Sequence, residues 1–243
     1  MRVARLFLPL ALRSGEEIEL PEDRAHYLAD VLRLRSGSSL VLFNGEGGEF
    51  AAEVVAAHRR GARVRVGHGQ PGVRESPLQI HLGLGISRGE RMDLAIQKAV
   101  ELGVSAITPL ATERSVVKLD TERRRARWDH WLKVAQSASE QSVRTRVPEV
   151  FEPRPLDVWL AAGDGLRLLL DPRGQHAMKE LSPLGDQVRL LSGPEGGFSA
   201  EERSRAHAAG FLSVRLGPRV LRTETAAIVA LAAAQLLWGD LGI

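Results

Sequence analysis

Residues 191–202, LSGPEGGFSAEE, decide how the chain is read. The apolar run that leads into them, VRLLS, reads as a buried strand. It is followed at once by Gly193-Pro194-Glu195-Gly196-Gly197 and then by a helix start, Ser199-Ala200-Glu201-Glu202. Glycine at a strand exit either allows positive φ or lets another group press against bare backbone. A tight turn accounts for the pattern by itself. The second reading is a small-molecule site at the carboxyl end of a strand, where open α/β sheets bind ligands.

The surroundings favour an α/β sheet. From Leu78 onward the pattern alternates: LQIHLGLGI as a strand, Arg91 to Leu102 as a helix, AITPL as a strand, and a long helix over about Glu122 to Val143. LRLLLD, VRLLS and SVRLG follow as short buried strands, and Thr225 to Trp238 closes the chain as a helix stopped by Gly239. Alternation of this kind predicts a parallel sheet with helices on both faces. The closing helix is apolar around most of its circumference, which predicts burial on nearly all sides.

Upstream the pattern differs. ARLFLP, EEIEL, SSLVLFNG, GEFAAEVVAA and ARVRVGH read as five short strands, with Asn44-Gly45 as a hairpin signal. One helical segment, about Glu22 to Arg35, interrupts them, so the expectation is a closed or nearly closed small barrel. GHGQPGVRESP, residues 67–77, reads as a linker. The domains are therefore expected at 1–72 and 73–243.

Composition excludes several functions. The 243 residues contain no cysteine, which removes disulfides, thiolate metal sites and cysteine nucleophiles and fits a cytoplasmic protein. No signal peptide opens the chain, and the longest apolar stretch, Ala226 to Trp238, is too short to span a bilayer. The seven histidines lack ligand spacing, so no metal is expected. Net charge is only +3, yet 29 of the 33 basic residues are arginine. Arginine suits phosphate and base contacts, although a GC-rich or heat-adapted genome produces the same bias. Gly83-Leu84-Gly85-Ile86-Ser87-Arg88-Gly89 has the spacing G-x-G-x-x-x-G and lacks an acidic residue at the distance a dinucleotide site requires.

Two further stretches carry chemistry. In SASEQSVRTRVP, Glu140 and Arg144 stand one helical turn apart with Gln141 beside them, an arrangement that an ordinary i,i+4 ion pair also explains. LGPRVLRTETA, from Leu216, runs from a strand through a two-arginine loop to an N-cap candidate, Thr223, with Glu224 in the first turn. A loop that enters a helix offers free amides to a ligand's polar atoms.

GPEGGFSAEE, LGPRVLRTETA, RMDLAIQKAVELGV with the following ITPL and ERS, and SASEQSVRTRVP together resemble the family that methylates N3 of a uridine in small-subunit (16S) ribosomal RNA, within the SPOUT superfamily. HYLADVLRLRSG and LFNGEGGEF match that family's N-terminal RNA-binding domain, so the resemblance runs nearly the full length. It implies a small PUA-like β-barrel domain followed by a trefoil-knotted domain that binds S-adenosyl-L-methionine (SAM) and releases S-adenosyl-L-homocysteine (SAH). It also implies a homodimer acting on the small ribosomal subunit, in the decoding region. By position, the resemblance places the cofactor at Leu170, Gly193, Glu195, Gly196, Gly197, Leu216, Gly217, Arg219, Leu221, Thr223 and Ala226.

Uridine N3 must lose its proton before it attacks, so the protein has to align the reactants and favour the uridine anion. Arginine can stabilise that anion but cannot act as the base. Arg222, Arg5 and Arg144 are the candidate stabilisers, and Glu224 or water the candidate base. RNA contacts are expected at Arg59, Arg60, Arg63 and Arg65, near a hairpin end, and at Arg114 and Gln141. A 2′-O-ribose methyltransferase of the same superfamily and a non-catalytic rRNA-binding assembly factor are the competing readings.

Overall fold

A computed structural model describes residues 3–58, 61–72, 75–115 and 121–242. The chain divides into two compact units, Met1–Glu75 with Ser139–Val147, and Ser76–Ala138 with Pro148–Ile243.

The first unit holds β1 (Ala4–Phe7), β2 (Glu17–Glu19), α1 (Glu22–His26), β3 (Ser39–Phe43), β4 (Gly48–His58) and β5 (Gly61–Pro71), with the strands in the order β1-β3-β4-β5-β2. Alternate residues of these strands, among them Leu6, Leu40, Leu42, Val54, Val64 and Val66, meet Ala25 and Leu28 in one core. Asn44 and Gly45 do turn the chain between β3 and β4, with the Asn44 side chain accepting from the Glu46 amide at 3.1 Å.

Two expectations change in detail. The helix is shorter than Glu22 to Arg35. After α1 a wider turn, Tyr27–Val31, carries a Leu32 N–H bond back to the Tyr27 carbonyl, and Arg33 at φ 55° ends it. Residues 67–71 are not linker but the end of β5, paired with Gly48–Phe50. That pairing depends on glycine, because a Cβ at Gly67 would lie 2.9 Å from the Ala51 carbonyl oxygen and one at Gly69 2.7 Å from the Phe50 ring.

Ser139–Val147 joins this unit through part-buried polar contacts. Glu75 accepts from Arg144 Nη2 (2.7 Å) and Nε (3.0 Å) and from the amides of Thr145 and Arg146, both at 2.9 Å. Glu140 accepts from the Phe7 amide at 3.0 Å. Charge-assisted bonds of this kind are stronger than neutral ones, and four on one carboxylate fix the segment.

The second unit holds β6 (Gln79–Gly85), α2 (Glu90–Glu101), β7 (Ala106–Ala111), α3 (Thr121–Ser142), whose last residues belong to the first unit, β8 (Glu149–Val150) and β9 (Arg154–Pro155). It continues with α4 (Leu156–Leu160), β10 (Leu166–Leu170), β11 (Gln187–Ser192), α5 (Ala200–Ala208), β12 (Leu212–Val214) and α6 (Thr223–Trp238). The strands run parallel in the order β12-β10-β11-β6-β7-β8, with β9 also on β7. Leu169 and Leu191 pack with Trp159, Leu160 and Ala206 of α4 and α5. Leu168 and Leu190 alternate with them and are also fully buried, on the side where α6 meets β10 and β11. Gln235 of α6 is fully buried, taking a 2.7 Å bond from the Ser76 hydroxyl and donating to the Leu102 carbonyl at 3.0 Å. Against the expectation from its composition, α6 leaves Val229, Leu236 and Leu237 exposed.

Across the sheet, Arg167, Arg189 and His81 stand in register on β10, β11 and β6. Arg189 is 3% exposed and stacks over the Trp159 ring, 4.0 Å from its centroid. Trp159 Nε1 donates to His81 Nε2 at 3.2 Å. Burial, then Arg189, then Arg154 push the His81 imidazole down from 6.5 to about 4. Between these values the folded state holds fewer protons than the unfolded chain, so stability is lost as the pH falls through that window. Denaturant unfolding at about pH 5 is expected to give a stability lower than at about pH 7 by on the order of 2 kcal/mol, with the His81 ring titrating near its shifted value by NMR. A His81 titration near 6.5 would contradict this.

Candidate active site

Three strand exits build the site. At the end of β11 the chain passes through Gly193–Gly197, closed by a Gly197 N–H bond to the Pro194 carbonyl at 2.8 Å with Gly197 at φ 65°. Helix α5 then starts on a reciprocal cap. Ser199 Oγ accepts from the Glu202 amide at 3.1 Å, and Glu202 accepts from the Ser199 amide at 2.8 Å. The Ser-x-x-Glu spacing predicts both bonds.

The glycines of 83–89 find their use here. Gly85 ends β6 directly against the GPEGG turn, where an added Cβ would sit 2.4 Å from the Pro194 nitrogen and 2.7 Å from the Gly193 carbonyl carbon. Only glycine permits two backbones to cross so closely. Glu195 then clamps the same two segments. It accepts from the Arg88 amide at 3.1 Å and from Arg91 Nη1 at 3.3 Å. Burial raises the Glu195 carboxyl, but its own amide and that of Arg88, with Ser87 and Arg91, outweigh burial and hold it below the usual carboxylate range.

The second wall follows β12. Gly217 takes φ 87°, and Pro218 to Leu221 lead into α6. The N-cap is Arg222, not Thr223 as the composition of the loop suggested, and it makes no side-chain capping bond. The chain reaches extended geometry at Arg222 (φ −65°, ψ 155°), one residue earlier than the hydroxyl. The first amides of α6 are thus left without a capping side chain. The third exit is Leu170 of β10 with Asp171-Pro172, where Asp171 accepts from the Arg173 amide at 2.8 Å and pairs with Arg203 Nε at 3.7 Å.

These exits enclose a cavity of about 590 Å³. Every residue expected at the cofactor site lines it, namely Leu170, Gly193, Glu195, Gly196, Gly197, Leu216, Gly217, Arg219, Leu221, Thr223 and Ala226. So do Arg222 and Glu224, and Arg114, expected as an RNA contact, whose Nη1 donates to the Gly196 carbonyl at 3.2 Å. Arg91, Arg173 and Arg203 also line it and were missed, since each sits in an ordinary helix or loop without a local signal. Arg219 and Arg222 are exposed and have no ion pair among the described residues.

The other expected residues lie in the first unit. Arg5 is 9% exposed, with Nη1 on Glu49 at 2.6 Å and Nη2 on the Arg144 carbonyl at 3.0 Å. Arg144 is held by Glu75. Each guanidinium, a candidate anion stabiliser from the sequence, is paired with a carboxylate here, Arg5 with Glu49 and Arg144 with Glu75. Gln141 is exposed. Arg63 and Arg65 both approach Glu17, at 3.7 and 2.7 Å. Arg59 and Arg60 lie outside the described residues.

The second unit is thus a parallel sheet whose strand exits form a glycine-walled cavity, and its family matches define a class of RNA-modifying enzyme. Residues 74–235 match the RNA methyltransferase domain family, and residues 20–67 match the RNA methyltransferase PUA domain. The chain belongs to the ribosomal RNA small subunit methyltransferase E family. The family's protein from Buchnera aphidicola of Schizaphis graminum is 35% identical over 242 residues, 99% of this chain and 98% of that one. A putative methyltransferase from Legionella pneumophila, solved with bound SAM, superposes with a TM-score of 0.96 at 41% identity, over 99% of this chain and 100% of that one. The Neisseria gonorrhoeae ribosomal RNA small subunit methyltransferase E, also bound to SAM, gives 0.92 at 35% identity over the same shares. The second unit is accordingly of the SPOUT type and the first is PUA-like.

Gly85→Ala is expected to lower the melting temperature sharply, by several kcal/mol of strain or displaced backbone, and to abolish ligand binding in the cavity. Gly48→Ala, where the nearest atom is 3.4 Å away, serves as the neutral control. Equal melting temperatures for the two variants would refute the crossing as a constraint.

Proposed function

We propose that this protein transfers a methyl group from SAM to N3 of a uridine in the 16S rRNA of the small ribosomal subunit, in the decoding region. The observation that carries the reading is the cavity formed by residues 193–197, 216–222 and the uncapped start of α6, with two arginines on it that have no ion pair among the described residues. The cavity fits SAM. Its volume falls within the roughly 300–1,000 Å³ of small-molecule sites. Its walls are bare backbone at Gly193, Gly196, Gly197 and Gly217, where amides and carbonyls would be open to the polar atoms of the cofactor, and Leu170, Leu216 and Leu221 would supply apolar surface to its rings.

When bound, SAM supplies a methyl group already activated by its sulfonium. The chain supplies alignment and charge. The N3–CH₃ bond forms as the S–CH₃ bond breaks, and the N3 proton passes to water. Arg222 stands beside Leu221 and Thr223 and has no ion pair among the described residues, which suits it to hold the uridine anion. Arg219 suits the phosphate next to the target base. The PUA-like unit supplies RNA affinity, with Arg63 and Arg65 at its sheet surface. No helix among the described residues is long and apolar enough to cross a membrane, and no metal-holding cluster occurs among them. The reaction belongs in the cytoplasm, with ribosomes.

Incubation with labelled SAM and small subunits lacking the modification, followed by mass spectrometry, is expected to place the methyl on uracil N3. A methyl on the ribose oxygen would overturn the reading. Arg222→Ala is expected to lower turnover by roughly 10²-fold, with SAM affinity nearly unchanged and partial recovery at higher pH. Lost SAM binding without recovery would assign Arg222 to structure.

The protein is also proposed to be a homodimer through α6. Val229 and Leu236 lie seven residues apart on one helical face with Leu237 adjacent, and all three are 40% or more exposed. Light scattering is expected to give twice the chain mass, reduced to the monomer by Leu236→Glu. A fully active wild-type monomer would exclude this assembly.

A further inference from the structure

Three carboxylates line the cavity, and two of them are matched by arginine. Asp171 pairs with Arg203 at 3.7 Å and Glu195 with Arg91 at 3.3 Å. Glu224 has no ion pair among the described residues, although it is only 7% exposed. Its Oε2 is covered and accepts no hydrogen bond. Negative charge is favoured in the first turn of a helix, where Glu224 sits. A buried carboxylate nevertheless costs free energy until a cation compensates it.

The covered Oε2 can act on a bound cation through its charge, without accepting a hydrogen bond from it. A sulfonium has no N–H or O–H and is compensated through Coulomb attraction alone, which a largely buried carboxylate can supply at low dielectric. Glu224 is also a candidate base from its position in the sequence, and the covered Oε2 leaves its other oxygen for that role.

We propose that Glu224 is the counter-charge of the SAM sulfonium, and that it sets the preference of the cavity for the charged donor over the neutral thioether product. The inference rests on the reading of the cavity as a SAM site. Methyl transfer removes the sulfonium charge and leaves Glu224 uncompensated, so the product is held more weakly than the donor. Glu224 is thus a specificity-determining residue that also eases product release.

Calorimetric titration of the full chain with SAM, SAH and sinefungin, whose amine carries a charge at the sulfonium position, tests this. SAM and SAH share the adenosine, the α-ammonium and the carboxylate, so their affinity ratio isolates the sulfonium. The wild type is expected to favour SAM over SAH by roughly tenfold, with sinefungin on the side of SAM. Glu224→Gln is expected to bring the ratio close to one, chiefly by weakening SAM and sinefungin, with SAH held as before. Glu224→Asp, which keeps the charge, is expected to retain most of the preference. An unchanged ratio in Glu224→Gln, an equal loss for all three ligands, or loss of the ratio in Glu224→Asp would each overturn the proposal. Failure of the wild type to bind any of the three would reject the SAM site itself, a different outcome from a site that binds without regard to charge.

Discussion

The second unit depends on one backbone crossing. Gly85 leaves β6 where Gly193 and Pro194 leave β11, and no side chain at Gly85 would fit between them. Close approach of two backbones at strand exits is what sets the GPEGG turn over the sheet and gives the cavity its floor. The contacts above it follow in order. Glu195 ties the turn to Arg88 and Arg91, Gly197 at positive φ turns the chain, and Ser199 with Glu202 starts α5 at once. Glu202 also accepts from the Glu113 amide at 2.9 Å, which links the start of α5 to the segment after β7.

The two units use buried charge differently. In the first, carboxylates are saturated: Glu75 takes four bonds from residues 144–146, and Arg5 is divided between Glu49 and the Arg144 carbonyl. Such a network braces a segment drawn from far along the chain, and breaking one partner is costly because the other is left buried. Around the cavity, Arg219, Arg222 and Glu224 have no ion pair among the described residues. Such groups in a walled cavity are poised for charges brought by ligands, and that contrast separates structural arginines from those suited to chemistry.

Much of the site was legible because it is carried by local backbone chemistry. Glycines at strand exits, a Ser-x-x-Glu helix start and a loop entering an alanine-rich helix are short-range signals that mark the walls of the cavity, while the individual pocket residues came from the family resemblance and line that cavity. What could not be read depends on distant partners. Nothing near Arg5 or Arg144 announces Glu49 or Glu75, 44 and 69 residues away, and nothing near Arg203 announces Asp171, which it meets across the cavity wall. The cap at Arg222 in place of Thr223 shows the same limit, since propensity favoured the hydroxyl while the path from β12 fixed where extended geometry ended. Residues 67–71 looked like linker because of their glycines, yet those glycines serve the closest contacts of β5 with β4.

The central claim is that SAM is held by the backbone of two loops and the first turn of α6. Amide hydrogen exchange with and without SAM tests it most directly. The account predicts slowed exchange concentrated at residues 193–197 and 216–225, with the first amides of α6 among the most protected. Protection centred instead on the second cavity of the same unit, lined by Asp164, Arg167, Ser182 and Asp186, with residues 193–197 and 216–225 unchanged, would contradict it.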